Sequence, residues 1–212
     1  MSLAAYRHLF VPGTDPAAPP LLLLHGTGGS EEDLVPLANR LSPGSGLLAP
    51  RGDVLENGAR RFFRRFAEGV FDLDDVRRRT HALADFVAAA AEAHRLDRAR
   101  LVARGYSNGA NIGGTLLLLR PETLGGALLF RAMVVLDEAA APGALTGRRV
   151  LLANGSRDPI VPSDHPQRLA GLLRAGGAEV TQHLAPAGHG LAAEDFAVAA
   201  RWLAAARADP GR

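Results

Sequence analysis

The 212-residue chain contains no cysteine and no lysine, and each absence excludes a class of chemistry. Without cysteine the chain has no disulfides, no thiolate metal ligands and no cysteine nucleophile. Without lysine it cannot use Schiff-base catalysis, because that chemistry needs a side-chain amine. All 24 basic residues are arginine, which explains a pI of about 9.9 at a formal net charge of only +2. We attribute the high pI to composition and expect no nucleic-acid partner.

The chain also has few aromatic residues and no long apolar run. Aromatic residues make up 5% of the sequence, beside 47% hydrophobic and 22% charged residues, as in a globular protein. No apolar run approaches the roughly 18 residues of a transmembrane helix, and the N-terminus shows no signal-peptide pattern. We therefore expect no membrane span and a cytoplasmic location. No internal repeat or linker divides the sequence, which predicts a single domain over residues 1–212.

Short apolar runs alternate with amphipathic segments along the chain. The runs at residues 21–24 and 150–153 are continuous, as in strands that are buried on both faces. Strands alternating with helices predict a mostly parallel sheet with helices on both faces. The predicted strands are 21–24, 46–49, 101–105, one within 127–136, 150–153 and 179–184, and the predicted helices are 30–40, 72–94, 108–119, 162–175 and 191–206.

A Gly-x-Ser-x-Gly motif occupies residues 105–109, between a predicted strand and a predicted helix. In such a turn the small flanking residues let the backbone fold tightly enough to expose the serine hydroxyl. Ser107 is therefore the candidate nucleophile. The alternative is a tight turn in which Ser107 only caps the following helix, since this pentapeptide also arises by chance in glycine-rich chains.

A serine nucleophile needs a general base and a third group that orients the base. Two loops at the carboxyl ends of later predicted strands, where ligands bind in parallel sheets, carry suitable side chains. Asp158 follows the strand 150–153, and His189 stands between two glycines after the strand 179–184. The chain order serine, aspartate, histidine is that of the α/β-hydrolases. In the alternative interpretation Asp158 only initiates a turn before Pro159, and His189 is an ordinary loop residue.

The tetrahedral intermediate of acyl transfer needs hydrogen-bond donors for its negative charge. The backbone N–H of Asn108, at the start of its predicted helix, is the first candidate donor. The second is the backbone N–H of Thr27, in the glycine-rich segment 25–29. This segment lacks the Gly-Lys-Ser/Thr of a phosphate-binding loop, and Glu31 stands where a dinucleotide-binding motif needs glycine. We expect His25, beside the oxyanion donors, to hold the loop by a hydrogen bond.

Four short segments and residues 50–65 carry a family resemblance. The segments are Leu-Leu-His-Gly-Thr-Gly-Gly at 23–29, Gly-Tyr-Ser-Asn-Gly-Ala-Asn at 105–111, Arg-Asp-Pro-Ile-Val-Pro at 157–162 and Gly-His-Gly at 188–190. Together they resemble the compact carboxylesterase/phospholipase branch of the α/β-hydrolases, which is related to dienelactone hydrolases and acyl-protein thioesterases. The resemblance spans nearly the whole chain, although residues 131–133 depart from the branch's usual Arg-Pro-Met.

The resemblance implies an α/β-hydrolase fold and a hydrolase that cleaves carboxylic esters or thioesters through Ser107, His189 and Asp158, with no cofactor. Apart from residues 51–70, the sequence has no insertion long enough for a lid, so we expect no large lid and a carboxylesterase with an open site suited to small to medium esters. Dienelactone hydrolases proper use a cysteine nucleophile, so lactone hydrolysis of that kind is disfavoured. The alternatives are hydrolysis of thioesters or lysophospholipids with longer acyl chains, and a non-catalytic receptor for small molecules. The other histidines show no metal-ligand spacing, so no metal is assigned, and a homodimer is left open.

Residues 51–70 combine aromatic and basic residues and form the candidate substrate-binding segment. In one interpretation the segment is a partial cap, whose phenylalanines line an acyl or aryl pocket and whose arginines meet an anionic substrate group. In the other, the arginines form a solvated surface and the phenylalanines attach the segment to the core. The candidate substrate-binding residues are Arg51, Phe62, Phe63 and Arg64.

Overall fold

The structure is a computed structural model that describes residues 3–208 of the chain. Its strands are β1 (His8–Val11), β2 (Leu21–Leu24), β3 (Leu47–Pro50), β4 (Val54–Glu56), β5 (Ala59–Arg61), β6 (Arg65–Ala67), β7 (Val70–Phe71), β8 (Val102–Tyr106), β9 (Gly126–Phe130), β10 (Arg149–Gly155) and β11 (Glu179–Ala185). Its α-helices are α1 (Val35–Leu41), α2 (Leu73–His94), α3 (Asn108–Leu119), α4 (His165–Ala175) and α5 (Ala193–Ala208). Short 3-10 helices lie at Leu3–Ala5 and Pro121–Thr123.

Seven strands form a central sheet in the order β1-β3-β2-β8-β9-β10-β11. Its neighbouring strands run parallel, except that β1 is antiparallel to β3. The predicted α/β class with a mostly parallel sheet is therefore confirmed. The sequence analysis did not predict β1, a strand of four residues that lies at the edge of the sheet and is only partly buried.

The core lies on both faces of this sheet. Leu22 and Leu24 belong to the apolar cluster that includes residues of α2, α3 and α4, whereas Leu21 and Leu23 belong to the cluster with α1 and α5. All four leucines are buried. The strand formed by the continuous apolar run 21–24 is thus buried on both faces of the sheet, as its sequence predicts.

The helix predicted at residues 30–40 begins only at Val35. Pro36 lies in the first turn of α1, where its missing N–H is tolerated, but it would break a helix that had already started at residue 30. The preceding residues form a turn, in which the Ser30 hydroxyl donates to Asp33. By contrast, α2 begins as predicted, with the Asp72 carboxylate accepting the Asp75 N–H at the N-cap.

The candidate substrate-binding segment, residues 51–70, lies in two small antiparallel hairpins that extend to residue 71. The first joins β4 to β5 through Asn57 and Gly58. Both residues have positive φ, as a two-residue type I′ turn requires. The second joins β6 to β7. The segment is therefore a pair of hairpins and not a helical lid. Within residues 3–208, no helix is both long and apolar enough to cross a membrane.

Candidate active site

Ser107 occupies a strained turn between β8 and α3. Its φ of 52° and ψ of −116° form a combination that L-residues rarely adopt. The Ser107 N–H donates to the carbonyl oxygen of Phe130 at 2.9 Å, which ties the turn to the neighbouring strand β9. This geometry is that of a nucleophile turn, with the serine at the carboxyl edge of the sheet.

Close backbone packing explains why both flanking positions of the motif are glycine. A Cβ on Gly105 would lie 2.5 Å from the carbonyl oxygen of Gly109. A Cβ on Gly109 would lie 2.0 Å from the carbonyl oxygen of Leu24 in β2. Either side chain would therefore push the start of α3 away from the sheet and displace Ser107.

Ser107, His189 and Asp158 form one line of hydrogen bonds. The Nε2 atom of His189 lies 2.9 Å from Ser107 Oγ, and its Nδ1 atom lies 2.8 Å from Asp158 Oδ2. Because an ionised carboxylate only accepts hydrogen bonds, the proton of the neutral imidazole belongs on Nδ1 and Nε2 is free to accept the serine proton. The three side chains predicted from separate loops thus lie together.

The Asp158 carboxylate is buried and held by its own turn. Its Oδ1 atom accepts the backbone N–H groups of Ile160 at 2.8 Å and Val161 at 3.2 Å. Its Oδ2 atom is left for His189. Asp158 therefore does both of the things considered for it. Its Oδ1 atom stabilises the turn, and its Oδ2 atom orients His189.

An arginine holds the loop that carries His189. Arg131 donates from Nε to the carbonyl oxygen of Gly188 at 3.1 Å and from Nη2 to that of Gly190 at 2.7 Å, on either side of His189. The same guanidinium binds both carboxylate oxygens of Asp195 in α5, at 3.1 and 2.6 Å. Both side chains of this ion pair are fully buried. The Arg131–Asp195 pair therefore fixes the backbone on both sides of the histidine.

Sequence reasoning missed this pair. Its signal was the position of Arg131 directly after β9, at the carboxyl edge of the sheet where functional residues of this fold class cluster. Two further contacts support the same loop. The Tyr106 hydroxyl donates to the carbonyl oxygen of His189 at 3.1 Å. Gly155, at the end of β10, leaves room for the loop, since a Cβ there would lie 2.4 Å from the carbonyl oxygen of Gly188.

Thr27 and Asn108, the predicted oxyanion donors, both line the cavity beside Ser107. In the described part of the chain, neither backbone N–H donates to a protein acceptor. Asn108 is the first residue of α3, where N–H groups have no acceptor within the helix. Thr27 is held through its hydroxyl, which accepts a hydrogen bond from Arg61 Nη1 at 2.7 Å. Among the described residues, both backbone N–H groups are thus without an acceptor.

His25 holds the loop that contains Thr27, as its sequence position predicts. Its Nε2 atom accepts the N–H of Gly52 at 2.9 Å, so the ring proton is on Nδ1, which donates to the carbonyl oxygen of Gly26 at 2.7 Å. Burial lowers the pKa of His25 below its ordinary value. The neutral ring therefore links two loops, and neither nitrogen is left to act as a base.

The four residues predicted to bind substrate do not line the cavity. Phe62 and Phe63 are fully buried in the core. Arg51 donates to Glu31 at 2.9 Å, and Arg64 pairs with an aspartate at the start of α2. This part of the prediction is corrected, because tertiary packing turns both phenylalanines inward and acidic side chains outside the cavity wall engage both arginines. Of the two sequence interpretations, the one in which the phenylalanines attach the segment to the core describes their placement.

The cavity beside Ser107 has a volume of about 310 Å³, at the small end for ligand sites. The 51–71 segment contributes Arg61, Arg65, Glu68 and Phe71 to its wall. A larger depression of about 780 Å³ lies along α2, but its lining holds no serine, threonine or histidine, so we place the site at the smaller cavity. Among the described residues, no cluster of three or more histidine or acidic side chains is arranged to hold a metal ion.

Comparison with known proteins identifies relatives over nearly the whole chain, although no family model matches it. MhqD of Bacillus subtilis (strain 168), whose name describes a hydrolase, is 41% identical over 196 residues, which are 92% of this chain and 96% of MhqD. A carboxylesterase crystal structure from Bacillus cereus is 43% identical, with a TM-score of 0.91 over 95% of this chain and 94% of that one. The structure of YahD with malic acid is 32% identical, with a TM-score of 0.87 over 94% and 98% of the two chains.

Proposed function

The chain belongs to the carboxylesterase branch of the α/β-hydrolases, and from this premise we propose that it cleaves small to medium carboxylic esters through an acyl-enzyme on Ser107. The relatives confirm the family resemblance of the sequence, and they show that the chain is a carboxylic ester hydrolase. The acting residues and the size of the substrate are our proposal. The observation that carries it is the line of hydrogen bonds from Ser107 through His189 to Asp158.

In the proposed mechanism Ser107 Oγ attacks the acyl carbon while its proton passes to His189 Nε2. A bond forms between the serine oxygen and the acyl carbon, the bond to the alcohol oxygen breaks, and His189 returns the proton to the leaving alcohol. Water then attacks the acyl-serine, giving its proton to His189, and the carboxylic acid leaves as Ser107 recovers its proton. Asp158 orients His189 and stabilises the imidazolium that forms in each half of the cycle.

The backbone N–H groups of Thr27 and Asn108 are the proposed donors to the oxyanion. Their support is that both residues line the cavity with Ser107 and both N–H groups lack a protein acceptor among the described residues. Donors that are already in place stabilise the developing charge without reorganisation, and loss of one such donor typically lowers turnover by about 100- to 1,000-fold. Arg61, in the first hairpin, donates to the Thr27 hydroxyl, and the ring of Phe62, which follows this hairpin, packs against His25. Both contacts hold the loop that carries the Thr27 donor.

The volume of the cavity favours short acyl groups over the long chains of lysophospholipids or palmitoyl thioesters. A cavity of about 310 Å³ is close to the lower limit for small-molecule sites. Its apolar lining comes from Phe71, Met133 and Ile160, which suits a short acyl or aryl group. The solved YahD structure contains malic acid, a small molecule, which supports a small substrate here as well.

Hydrolysis of aryl esters of graded acyl length tests the proposal. We expect wild-type protein to prefer short acyl groups and Ser107→Ala to lose on the order of a million-fold in turnover, because the nucleophile is removed. Ser163→Ala, which changes an exposed serine in another loop, is the matched control and keeps wild-type activity. A fluorophosphonate probe labels wild-type protein and the control but not Ser107→Ala. Retention of most activity by Ser107→Ala would rule out the proposed nucleophile, and no labelling of folded wild-type protein would favour a receptor.

A further inference from the structure

We propose that the cavity beside Ser107 binds a carboxylate of the substrate. The preferred substrates are then small esters that carry a free carboxylate group in addition to the ester bond. This inference deepens the proposed function and rests on it, since it concerns the substrate of the same serine. It comes from the hydrogen-bond donors that the protein leaves unused in the cavity wall.

Asn111 presents one unused donor in the cavity wall. Its Oδ1 atom accepts the backbone N–H of Met133 at 2.9 Å. Because a backbone N–H can only donate, this contact fixes the orientation of the amide and identifies the other atom as Nδ2. Asn111 is only 5% exposed and lines the cavity, and among the described residues its Nδ2 amino group has no acceptor. The group of Asn111 that has no partner is therefore the Nδ2 amino group, which is a hydrogen-bond donor.

Asn108 repeats this arrangement in the same cavity wall. Its Oδ1 atom accepts the backbone N–H of Phe62 at 2.8 Å, which fixes the orientation of the amide in the same way. Its Nδ2 atom is buried and has no hydrogen-bond partner in the described structure. Buried polar groups of proteins are nearly always paired, so this amino group is an unsatisfied donor on a residue that lines the cavity.

Arg61 adds positive charge to these donors. Its side chain is only 3% exposed, and it is held by Nη1 on Thr27 Oγ1 at 2.7 Å and by Nε on the carbonyl oxygen of Phe63 at 3.2 Å. In the part of the chain that is described, Nη2 donates to no protein acceptor. Burial, and then the neighbouring Arg65, lowers the pKa of Arg61 below its ordinary value. The charge is thus disfavoured in the free protein, and a bound anion would offset this.

The acidic side chains around the cavity are already engaged. Glu68 lines the cavity but pairs with Arg65. Glu56 accepts from Arg65 Nε at 2.8 Å and lies 3.3 Å from Arg61 Nε. Asp158 is occupied by His189 and its own turn. Glu56 Oε2 has no hydrogen-bond partner in the described structure, but Glu56 does not line the cavity, and this oxygen lies beside Arg61 Nε. A carboxylate suits the donors of the cavity wall, since it offers two acceptor oxygens and a negative charge.

Pairs of esters that differ only by a free carboxylate measure this preference. Mono-p-nitrophenyl glutarate is compared with p-nitrophenyl pentanoate, which places the carboxylate on the acyl side. The ester 3-acetoxybenzoate is compared with phenyl acetate, which places it on the alcohol side. We expect kcat/KM of the anionic ester to exceed that of the neutral ester by at least about tenfold in one of the two pairs, and the excess to fall with added salt.

Two variants test the assignment of the donors. Asn111→Asp keeps the acceptor for Met133 but replaces the amino group by a carboxylate oxygen, and Arg61→Gln removes the charge. Each is expected to lower the ratio of anionic to neutral kcat/KM by at least about tenfold. The ratio isolates recognition of the anion, because any effect on the oxyanion loop lowers both rates. Arg60→Gln removes a charge from the same strand at a residue outside the cavity wall, and its ratio stays at the wild-type value.

Binding of glutarate ion, measured by calorimetry, makes the test independent of turnover. Saturable binding that weakens in Asn111→Asp supports the site, even if Ser107→Ala shows that the proposed nucleophile is wrong. Ser107-dependent hydrolysis of neutral esters, with no glutarate binding and ratios at or below unity, overturns the site and leaves the proposed function intact. Tighter binding of inorganic phosphate than of glutarate would overturn the assignment to a carboxylate.

Discussion

At the scale of single residues, the glycine at position 109 separates the nucleophile turn from an ordinary helix start. Gly109→Ala is expected to destabilise the protein and abolish activity, because its Cβ would lie 2.0 Å from a backbone oxygen of β2. Gly171→Ala is the matched control in α4, where a Cβ meets nothing within 4 Å. This control should stabilise the protein by about 0.5–1 kcal/mol through helix propensity. Urea unfolding measures both, and equal stabilities of the two variants would contradict the packing argument.

Arg104 is a residue whose charge the fold leaves uncompensated. It is 1% exposed, all three guanidinium nitrogens lack a hydrogen-bond partner in the described structure, and the Phe130 ring lies 5.7 Å away. Burial lowers the pKa of Arg104 to about 9. Because the unbranched apolar side chain of methionine needs no hydrogen-bond partner, Arg104→Met is expected to raise the free energy of unfolding at pH 7 by at least about 1 kcal/mol.

The pH dependence of stability provides a second measurement on Arg104. Because burial lowers the pKa of Arg104 to about 9 in the folded protein, well below the pKa of an exposed arginine, the unfolded state binds more protons above about pH 9. Through this group the free energy of unfolding therefore rises as the pH increases above about 9. The advantage of Arg104→Met over wild type should shrink between pH 8 and about 10.5. A constant difference across this range would show that the side chain stays protonated.

At the scale of elements, the Arg131–Asp195 pair joins the end of β9 to α5 and to the loop of the catalytic-base candidate. Asp195→Asn keeps the shape but removes the charge partner, which should loosen the loop around His189. We expect kcat to fall by about 10- to 100-fold, because small misplacements of a catalytic group have effects of this size. KM for a neutral ester should change little, since neither residue lines the cavity.

Thermal unfolding must accompany this measurement, because breaking a buried pair costs about 3–5 kcal/mol of stability. Assays below the onset of unfolding separate the two effects. The rate of fluorophosphonate labelling should fall in step with kcat. A purely structural role for the pair would instead lower the melting temperature and leave kcat of the folded fraction unchanged.

The elements of this fold differ in how far the sequence predicted them. The predicted sheet strands start within one residue of the observed ones, since buried parallel strands are short apolar runs bounded by turns. The start of α3 agrees with the prediction because its glycine motif defines the turn. The start of α1 was placed too early, since Ser30 and the acids after it imitate an N-cap, whereas Pro36 sets the true beginning. The hairpins of 51–71 escaped prediction because each strand has only two or three residues.

At the scale of the whole molecule, two apolar clusters share one sheet, and we propose that the chain unfolds as a single domain. Adjacent residues of β2 contribute to opposite clusters, so loss of the sheet removes the support of both. Far-UV circular dichroism reports the unfolding of the sheet and helices, and the fluorescence of Trp202 reports the apolar cluster that includes α1 and α5. We expect the two signals to give one coincident transition in urea. Two separated transitions would show that the clusters melt as independent units.

The sequence by itself determined which loops carry Ser107, Asp158 and His189, and in which order. It could do so because each follows a strand of a parallel sheet, whose carboxyl ends share one edge. Only the tertiary structure decided that Arg61, and not Arg51 or Arg64, lines the cavity. The same holds for the Arg131–Asp195 pair, whose members are 64 residues apart. Local pattern governs strands and turns, whereas the partner of a long arginine depends on side chains that only folding brings near it.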